Sequence, residues 1–177
     1  EALGAKYKDK YIGTLGEAAI FSLDFAKTIT CGEGGLITTN DKNIWRYCKE
    51  FHDHGHESNP DFPRGRDTRT IPGMNFRMTE MQAVIGRIQL KRMTDWTTAR
   101  IANAMAIREV LLPFASEGEV VQVPTLQGEG NVHAYYKYYT YVRPENFESG
   151  WTRNRIIDEI NARGVPCYWG SCSEIYL

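Results

Sequence analysis

Phe21-Ser22-Leu23-Asp24-Phe25-Ala26-Lys27-Thr28-Ile29-Thr30-Cys31-Gly32-Glu33-Gly34-Gly35 is the stretch around which this 177-residue chain is organised. Ala18-Ala19-Ile20-Phe21 runs into it and Gly35-Leu36-Ile37-Thr38-Thr39 leaves it, and both runs read as strands. Lys27 therefore falls on a short connection whose two ends are held by buried strands. Partial desolvation of such a lysine lowers its pKa, because burial disfavours the charged form. A neutral amine attacks carbonyls, so the placement suits Schiff-base chemistry. A solvated surface charge is the other reading, and spacing alone favours it. Gly32, Gly34 and Gly35 read as turn chemistry between the strands. The Gly-Lys-Ser/Thr ending of a nucleotide-binding P-loop is absent.

Hydrophobic residues make up 42% of the chain and charged residues 24%, the composition of a globular, soluble domain with a real core. A net charge of −1 supplies no basic field for nucleic acid and no polybasic membrane patch. No apolar run is long enough to cross a bilayer, and no secretory signal opens the sequence. Cys31, Cys48, Cys167 and Cys172 are scattered and form no Cys-x-x-Cys pair, which argues against a metal site. Such cysteine usage in an enzyme-like sequence points to the cytoplasm.

Before the central stretch, residues 6–12 suggest a surface hairpin turning near Asp9-Lys10. After it, Asn40 is a plausible cap for a helix whose apolar stripe is Ile44, Cys48 and Phe51. That helix runs out in His52-Asp53-His54-Gly55-His56, either a metal-ligating cluster or a polar helix end; no second ligand group supports the metal. Residues 57–72 form a long polar loop whose Arg64, Arg66 and Arg69 face either an anionic ligand or solvent. Thr79 and Gln82 make a capping box for a helix bearing Met81, Ile85 and Ile88 on one face. A bend is expected near Asp95-Trp96-Thr97, followed by a second helix to about residue 112 that ends at Pro113. Strands are expected at 120–123, 135–142 and 165–168, and a helix at 152–163 between Thr152 and Gly164. The run Tyr135, Tyr136, Tyr138, Tyr139 and Tyr141 suits stacking on a sugar or base, although strands favour aromatics for packing.

Two polar residues each have two readings from position alone. Ser22, at a strand end, can donate to a phosphate or be an ordinary strand-end serine. Asn75, before a helix start, can help bind an anion or can bond its own backbone.

The order Gly13-Thr14-Leu15-Gly16-Glu17, Phe21-Ser22, Lys27 and Gly32-Glu33-Gly34-Gly35 resembles the DegT/DnrJ/EryC1/StrS sugar aminotransferases. The likeness continues through His54-Gly55 and Gly73-Met74-Asn75-Phe76-Arg77-Met78-Thr79-Glu80, and more loosely to the C-terminus. It implies an α/β fold: part of the large domain of a fold-type I enzyme dependent on pyridoxal 5'-phosphate, over 1–113, and the start of its small α/β domain, over 114–177. Lys27 is then the residue that carries the cofactor. Ser22 contacts the cofactor phosphate, and Asn75 reaches the phosphate held by the partner subunit of a homodimer. Arg77 braces the Asn75 loop, and His54 borders the substrate channel. The implied reaction moves an amino group from an amino acid such as glutamate to a nucleotide-linked keto-sugar, as in cell-surface polysaccharide biosynthesis.

Asp24-Phe25-Ala26 departs from the His-Pro-Thr or Tyr-Ala-Thr that often precedes the family lysine, which leaves the substrate subclass open. The family's carboxylate for the pyridine nitrogen is expected just before the position of Glu1. The sequence is therefore expected to be an internal piece of a longer polypeptide, and this piece alone to bind the cofactor weakly or not at all. A catalytically incompetent homologue and a sugar-nucleotide-binding module without turnover stand as alternatives.

Overall fold

The computed structural model describes residues 1–170 except 58, 64, 117, 126 and 127. Arg64, Cys172 and the 174–177 end lie outside the described residues. The chain divides into two compact units. One comprises Glu1–Arg100 with Gln127–Tyr136, the other Ile101–Leu126 with Lys137–Leu177.

The first unit opens with β1 (Lys6–Tyr7) and β2 (Lys10–Tyr11), an antiparallel pair joined by Lys8 and Asp9. Both joining residues take positive φ, 48° and 63°, the conformation that matches a two-residue turn to strand twist. β3 (Ala18–Ser22) and β4 (Gly35–Thr39) then pair antiparallel, with Ala18 opposite Thr39 and Ser22 opposite Gly35. The connection between them is closed at its base by Leu23, whose N–H donates to Gly34 O at 2.8 Å and whose carbonyl accepts from Cys31 N–H at 3.1 Å. Leu23, Ile29 and Cys31 form the core cluster, with Leu3, Met78, Met93 and Trp96 packed against it. The lysine-bearing connection thus grows out of the best-buried part of the unit.

Helix α1 (Lys42–Phe51) follows, with Ile44, Cys48 and Phe51 half-buried as their spacing predicts. Its N-cap is Asp41 rather than Asn40: the Asp41 carboxylate accepts from Asn43 N–H at 2.7 Å and from Ile44 N–H at 3.1 Å. Asn40 comes one residue too early to reach those amides. Glu50, near the end of α1, is 5% exposed, and its carboxylate accepts from the Thr70 hydroxyl at 2.6 Å. A buried carboxylate needs such a partner, so it anchors the far end of the 57–72 loop.

Helix α2 (Glu80–Leu111) runs through the expected bend without interruption. Residues 95–97 contain neither proline nor glycine, Thr97 is buried, and the Thr98 hydroxyl donates to Thr94 O inside the helix at 3.1 Å. The Thr79–Gln82 capping box is in place: Thr79 N–H donates to Gln82 Oε1 at 2.9 Å and Gln82 N–H to Thr79 Oγ1 at 3.3 Å. Met81, Val84, Ile85 and Ile88 line an exposed apolar stripe on α2. A short 3-10 turn at Leu112–Phe114, carrying Pro113, ends it.

In the second unit, β5 (Val121–Gln122) pairs antiparallel with β6 (Tyr141–Val142). Both are shorter than their sequence suggests. The 135–140 stretch is irregular because Tyr135 sits at φ 46°, outside strand space. Helix α3 (Arg153–Ala162) starts at Thr152, whose hydroxyl accepts from Arg155 N–H at 3.1 Å, and stops before Gly164 at φ 80°. No strand forms at 165–168. There the Asn161 side chain takes both the Cys167 carbonyl, at 2.6 Å, and its N–H, at 3.1 Å, leaving the backbone no ladder to join. Ala104, Val123 and Ile157 are the buried apolar residues of this unit among those described.

Candidate active site

Lys27 lies on the β3–β4 connection with its side chain 23% exposed. Its N–H donates to Asp24 O at 3.0 Å, closing a tight turn just after β3. The same turn is stiffened by Asp24, whose carboxylate accepts from Ala26 N–H at 3.1 Å. Helix α2 fastens the rest of the connection: Gln89 Oε1 accepts from Thr30 N–H at 2.8 Å, and Gln82 Nε2 donates to Glu33 O at 2.9 Å. The Lys27 amine is 3.3 Å from a Glu1 carboxylate oxygen and 5.4 Å from the centre of the Tyr136 ring.

These neighbours reverse one expectation. The Lys27 pKa is raised, not lowered. The hydrogen bond to the Glu1 carboxylate is the main cause, and burial, which pulls the other way, is outweighed. The sequence offers no hint of this pairing, because the two residues are 26 positions apart.

Ser22 ends β3, and its hydroxyl oxygen accepts from Asp24 N–H at 3.3 Å. That bond uses a lone pair and leaves the hydroxyl proton without a partner among the described residues. Thr28, next to the lysine, is buried with its hydroxyl unpaired.

His54, Asn75 and Arg77 gather in a second place. The 73–77 segment docks on the end of α1 through three backbone bonds. Met74 N–H donates to Phe51 O at 2.8 Å, His54 N–H to Met74 O at 2.9 Å, and Phe76 N–H to His52 O at 2.9 Å. Gly55 and Gly73 permit this approach: a Cβ on Gly73 would lie 2.2 Å from Gly55 N and 2.8 Å from Phe51 O. The Arg77 guanidinium pairs with the Asp53 carboxylate, and the Asn75 side-chain oxygen accepts from Arg77 N–H at 3.4 Å. Asn75 itself is exposed. No hydrogen bond joins Ser22 or Lys27 to Asn75, His54 or Arg77 among the described residues.

The histidine cluster serves the loop. His56 Nδ1 and Asp67 Oδ2 share a 2.6 Å hydrogen bond, and Asp67 Oδ1 accepts from Gly65 N–H at 2.8 Å. No group of three His, Cys, Asp or Glu side chains is arranged to hold a metal among the described residues. The backbone bond from Gly65, and then the one from His56, hold the Asp67 carboxyl below its usual pKa. A carboxyl whose pKa is depressed by folding adds stability that is complete above the unfolded value near 3.8 and vanishes as pH falls through the folded value. Asp67→Asn should therefore remove part of the acid-side slope of stability, seen as a flatter dependence of the urea midpoint on pH below about 4.

A family model described as the DegT/DnrJ/EryC1/StrS aminotransferase family matches residues 1–169. The chain belongs to this family. The aminotransferase of Psychrobacter cryohalolentis shares 44% of its sequence, with a TM-score of 0.90 over 98% of this chain and 46% of that one. GDP-perosamine synthase of Caulobacter vibrioides is 34% identical over 165 residues, 93% of this chain and 41% of the synthase. GDP-4-keto-6-deoxy-D-mannose-3-dehydratase of E. coli, solved with bound hydrated PLP, shares the fold at 24% identity and a TM-score of 0.77, over 94% of this chain and 43% of that one. The chain thus spans less than half the length of the relatives it matches. Its α/β architecture is the one these family members share. No described helix is long and apolar enough to cross a membrane.

Sequence reasoning missed Glu1, Asp53 and Tyr136 as partners of the site residues. Tyr136 stood in an aromatic run that local pattern assigns to packing or stacking, with no signal linking it to residue 27.

Proposed function

We propose that the full-length protein is a pyridoxal 5'-phosphate-dependent transaminase. It moves an amino group, with glutamate as donor, to a nucleotide-linked keto-sugar, as a cytoplasmic homodimer with a shared active site. The observation that carries this reading is the Lys27 amine, half-buried on a strand-bounded connection five residues after the free hydroxyl proton of Ser22. The donor set suits the cofactor: an amine for its aldehyde, and an unpaired Ser22 O–H for a phosphate oxygen. Kinship with GDP-perosamine synthase supports the sugar-nucleotide substrate.

When bound, the cofactor supplies an aldehyde and a protonated pyridine ring that serves as an electron sink. Ser22 would hold the phosphate end of the cofactor and Lys27 its aldehyde end. Lys27 Nζ must first lose its proton, and the Glu1 carboxylate, 3.3 Å away, favours the protonated amine and so opposes that loss. With the cofactor bound, Lys27 Nζ would serve as the general base that moves a proton at the reacting carbon. Asn75, exposed on a loop braced by Arg77 and Asp53, extends to the partner subunit's cofactor phosphate, and His54 borders the substrate channel. The unpartnered stripe Met81, Val84, Ile85 and Ile88, with exposed Met74 and Phe76 flanking Asn75, supports a covering second subunit. Residues 1–113 belong to the large domain and 114–177 to the small one.

The test is titration of the full-length protein with pyridoxal 5'-phosphate, borohydride reduction and peptide mapping. The expected result is a visible absorbance band removed by borohydride, with the label on Lys27. A label elsewhere, or no band, contradicts the assignment.

A further inference from the structure

Residues 130–136 are fastened to the β1–β2 hairpin at successive points. Asp9 N–H donates to Gly130 O at 2.8 Å, and Lys8 N–H donates to Asn131 Oδ1 at 2.9 Å. Lys6 and Val132 exchange two backbone bonds, at 2.9 and 3.0 Å. Ala134 is then buried, 3% exposed. Tyr135 next adopts φ 46°, with its N–H donating to His133 Nδ1 at 2.9 Å and the two rings 4.3 Å apart. A bulky residue in the left-handed region is strained and persists only where its surroundings impose it. This reversal delivers the next residue to the lysine connection. The Tyr136 hydroxyl donates to Ala26 O at 3.1 Å, and its ring centre lies 5.4 Å from Lys27 Nζ.

We propose that Tyr136 is a positioning residue for Lys27: its hydroxyl fixes the backbone immediately before the lysine, and its ring faces the amine. The proposal rests on Lys27 being the cofactor lysine. The hydroxyl bond pins the carbonyl of the residue preceding Lys27, in a turn otherwise held by Asp24. The ring attracts a cation within about 6 Å of its centre. Glu1, 3.3 Å from Nζ, is its second neighbour, and two partners restrict a four-carbon chain otherwise rich in rotamers. Reaction at the cofactor aldehyde depends on the direction of that chain.

The experiment uses the full-length protein freed of cofactor, as wild type, Tyr136→Phe and Tyr136→Leu. Pulse labelling with acetic anhydride across pH, read at Lys27 by mass spectrometry, gives the titration midpoint of the amine. Tyr136→Leu is expected to lower the midpoint by about half a unit, because the cation loses its ring. Tyr136→Phe keeps the ring and should keep the midpoint. Hydrogen exchange at the Lys27 amide should be about fivefold faster in both variants, the cost of one hydrogen bond. Reaction of Lys27 with added pyridoxal 5'-phosphate, trapped by borohydride, should be several-fold slower in both. A merely structural role would leave the Phe and Leu variants with the same Lys27 midpoint. An unshifted midpoint in Tyr136→Leu, or unchanged exchange in Tyr136→Phe, overturns the proposal. If wild-type Lys27 takes no adduct at all, the cofactor reading falls, and the midpoints and exchange rates still decide for or against Tyr136.

Discussion

Lys27→Arg in the full-length protein is expected to abolish the borohydride-sensitive absorbance and to cut transamination by roughly 10³-fold or more. Arginine keeps the positive charge, so it still has Glu1 at hand and still suits the face of Tyr136. What it cannot do is give up its proton near neutral pH, since its guanidinium titrates above about 12. The variant therefore separates charge from chemistry. The fold should survive, because Lys27 contributes to the unit mainly through its backbone bond to Asp24. Circular dichroism and unfolding curves like those of the wild type, with activity lost, are the expected pair of results. A variant that still transaminates would remove Lys27 from the reaction altogether.

Gly73→Ala should, like Gly55→Ala, be among the most damaging single methyls in the first unit. The added carbon would sit 2.2 Å from Gly55 N, 2.7 Å from the His54 carbonyl carbon and 2.8 Å from Phe51 O. These are backbone atoms, with no flexible side chain to yield. The 73–77 segment would have to leave the end of α1, with loss of the three backbone bonds that dock it. At about 1 kcal/mol each, the loss is about 3 kcal/mol, readable as a lower urea midpoint. Asn75 and Arg77 would move with the segment, so, on the role proposed for Asn75, cofactor affinity should fall alongside stability. Gly170→Ala is the control, since a Cβ there meets nothing within 4 Å. Equal stability of the two variants would show that the segment is not held where the structure puts it.

What the sequence revealed follows the reach of each interaction. The Thr79–Gln82 capping box and the Thr152 cap depend on residues three positions apart, the β3–β4 pair on two runs that flank one connection, and all three are present. Asn40, read as the cap of α1, lies one residue too early; the Asp41 carboxylate is what reaches the Asn43 and Ile44 amides. The bend expected near Asp95-Trp96-Thr97 is absent, because burial of Thr97 and packing of Trp96 on the core carry the helix through. The strand expected over 135–142 fails at Tyr135, whose backbone is turned by a hydrogen bond to His133. The direction of the Lys27 pKa was misjudged because burial could be guessed from flanking strands whereas the Glu1 carboxylate could not. The roles of His54 and Arg77 rest on family likeness; the geometry adds their shared docking site on α1 and the Asp53 pairing.

The Tyr136 hydroxyl and the Ala26 carbonyl are 110 residues apart in the chain. During synthesis the lysine turn leaves the ribosome 110 residues before its tyrosine partner. Ile101–Leu126, assigned to the other unit, is translated in the interval. A nascent chain halted before residue 136 thus exposes an unfinished pocket, and maturation of the first unit is gated by translation of an excursion into the second.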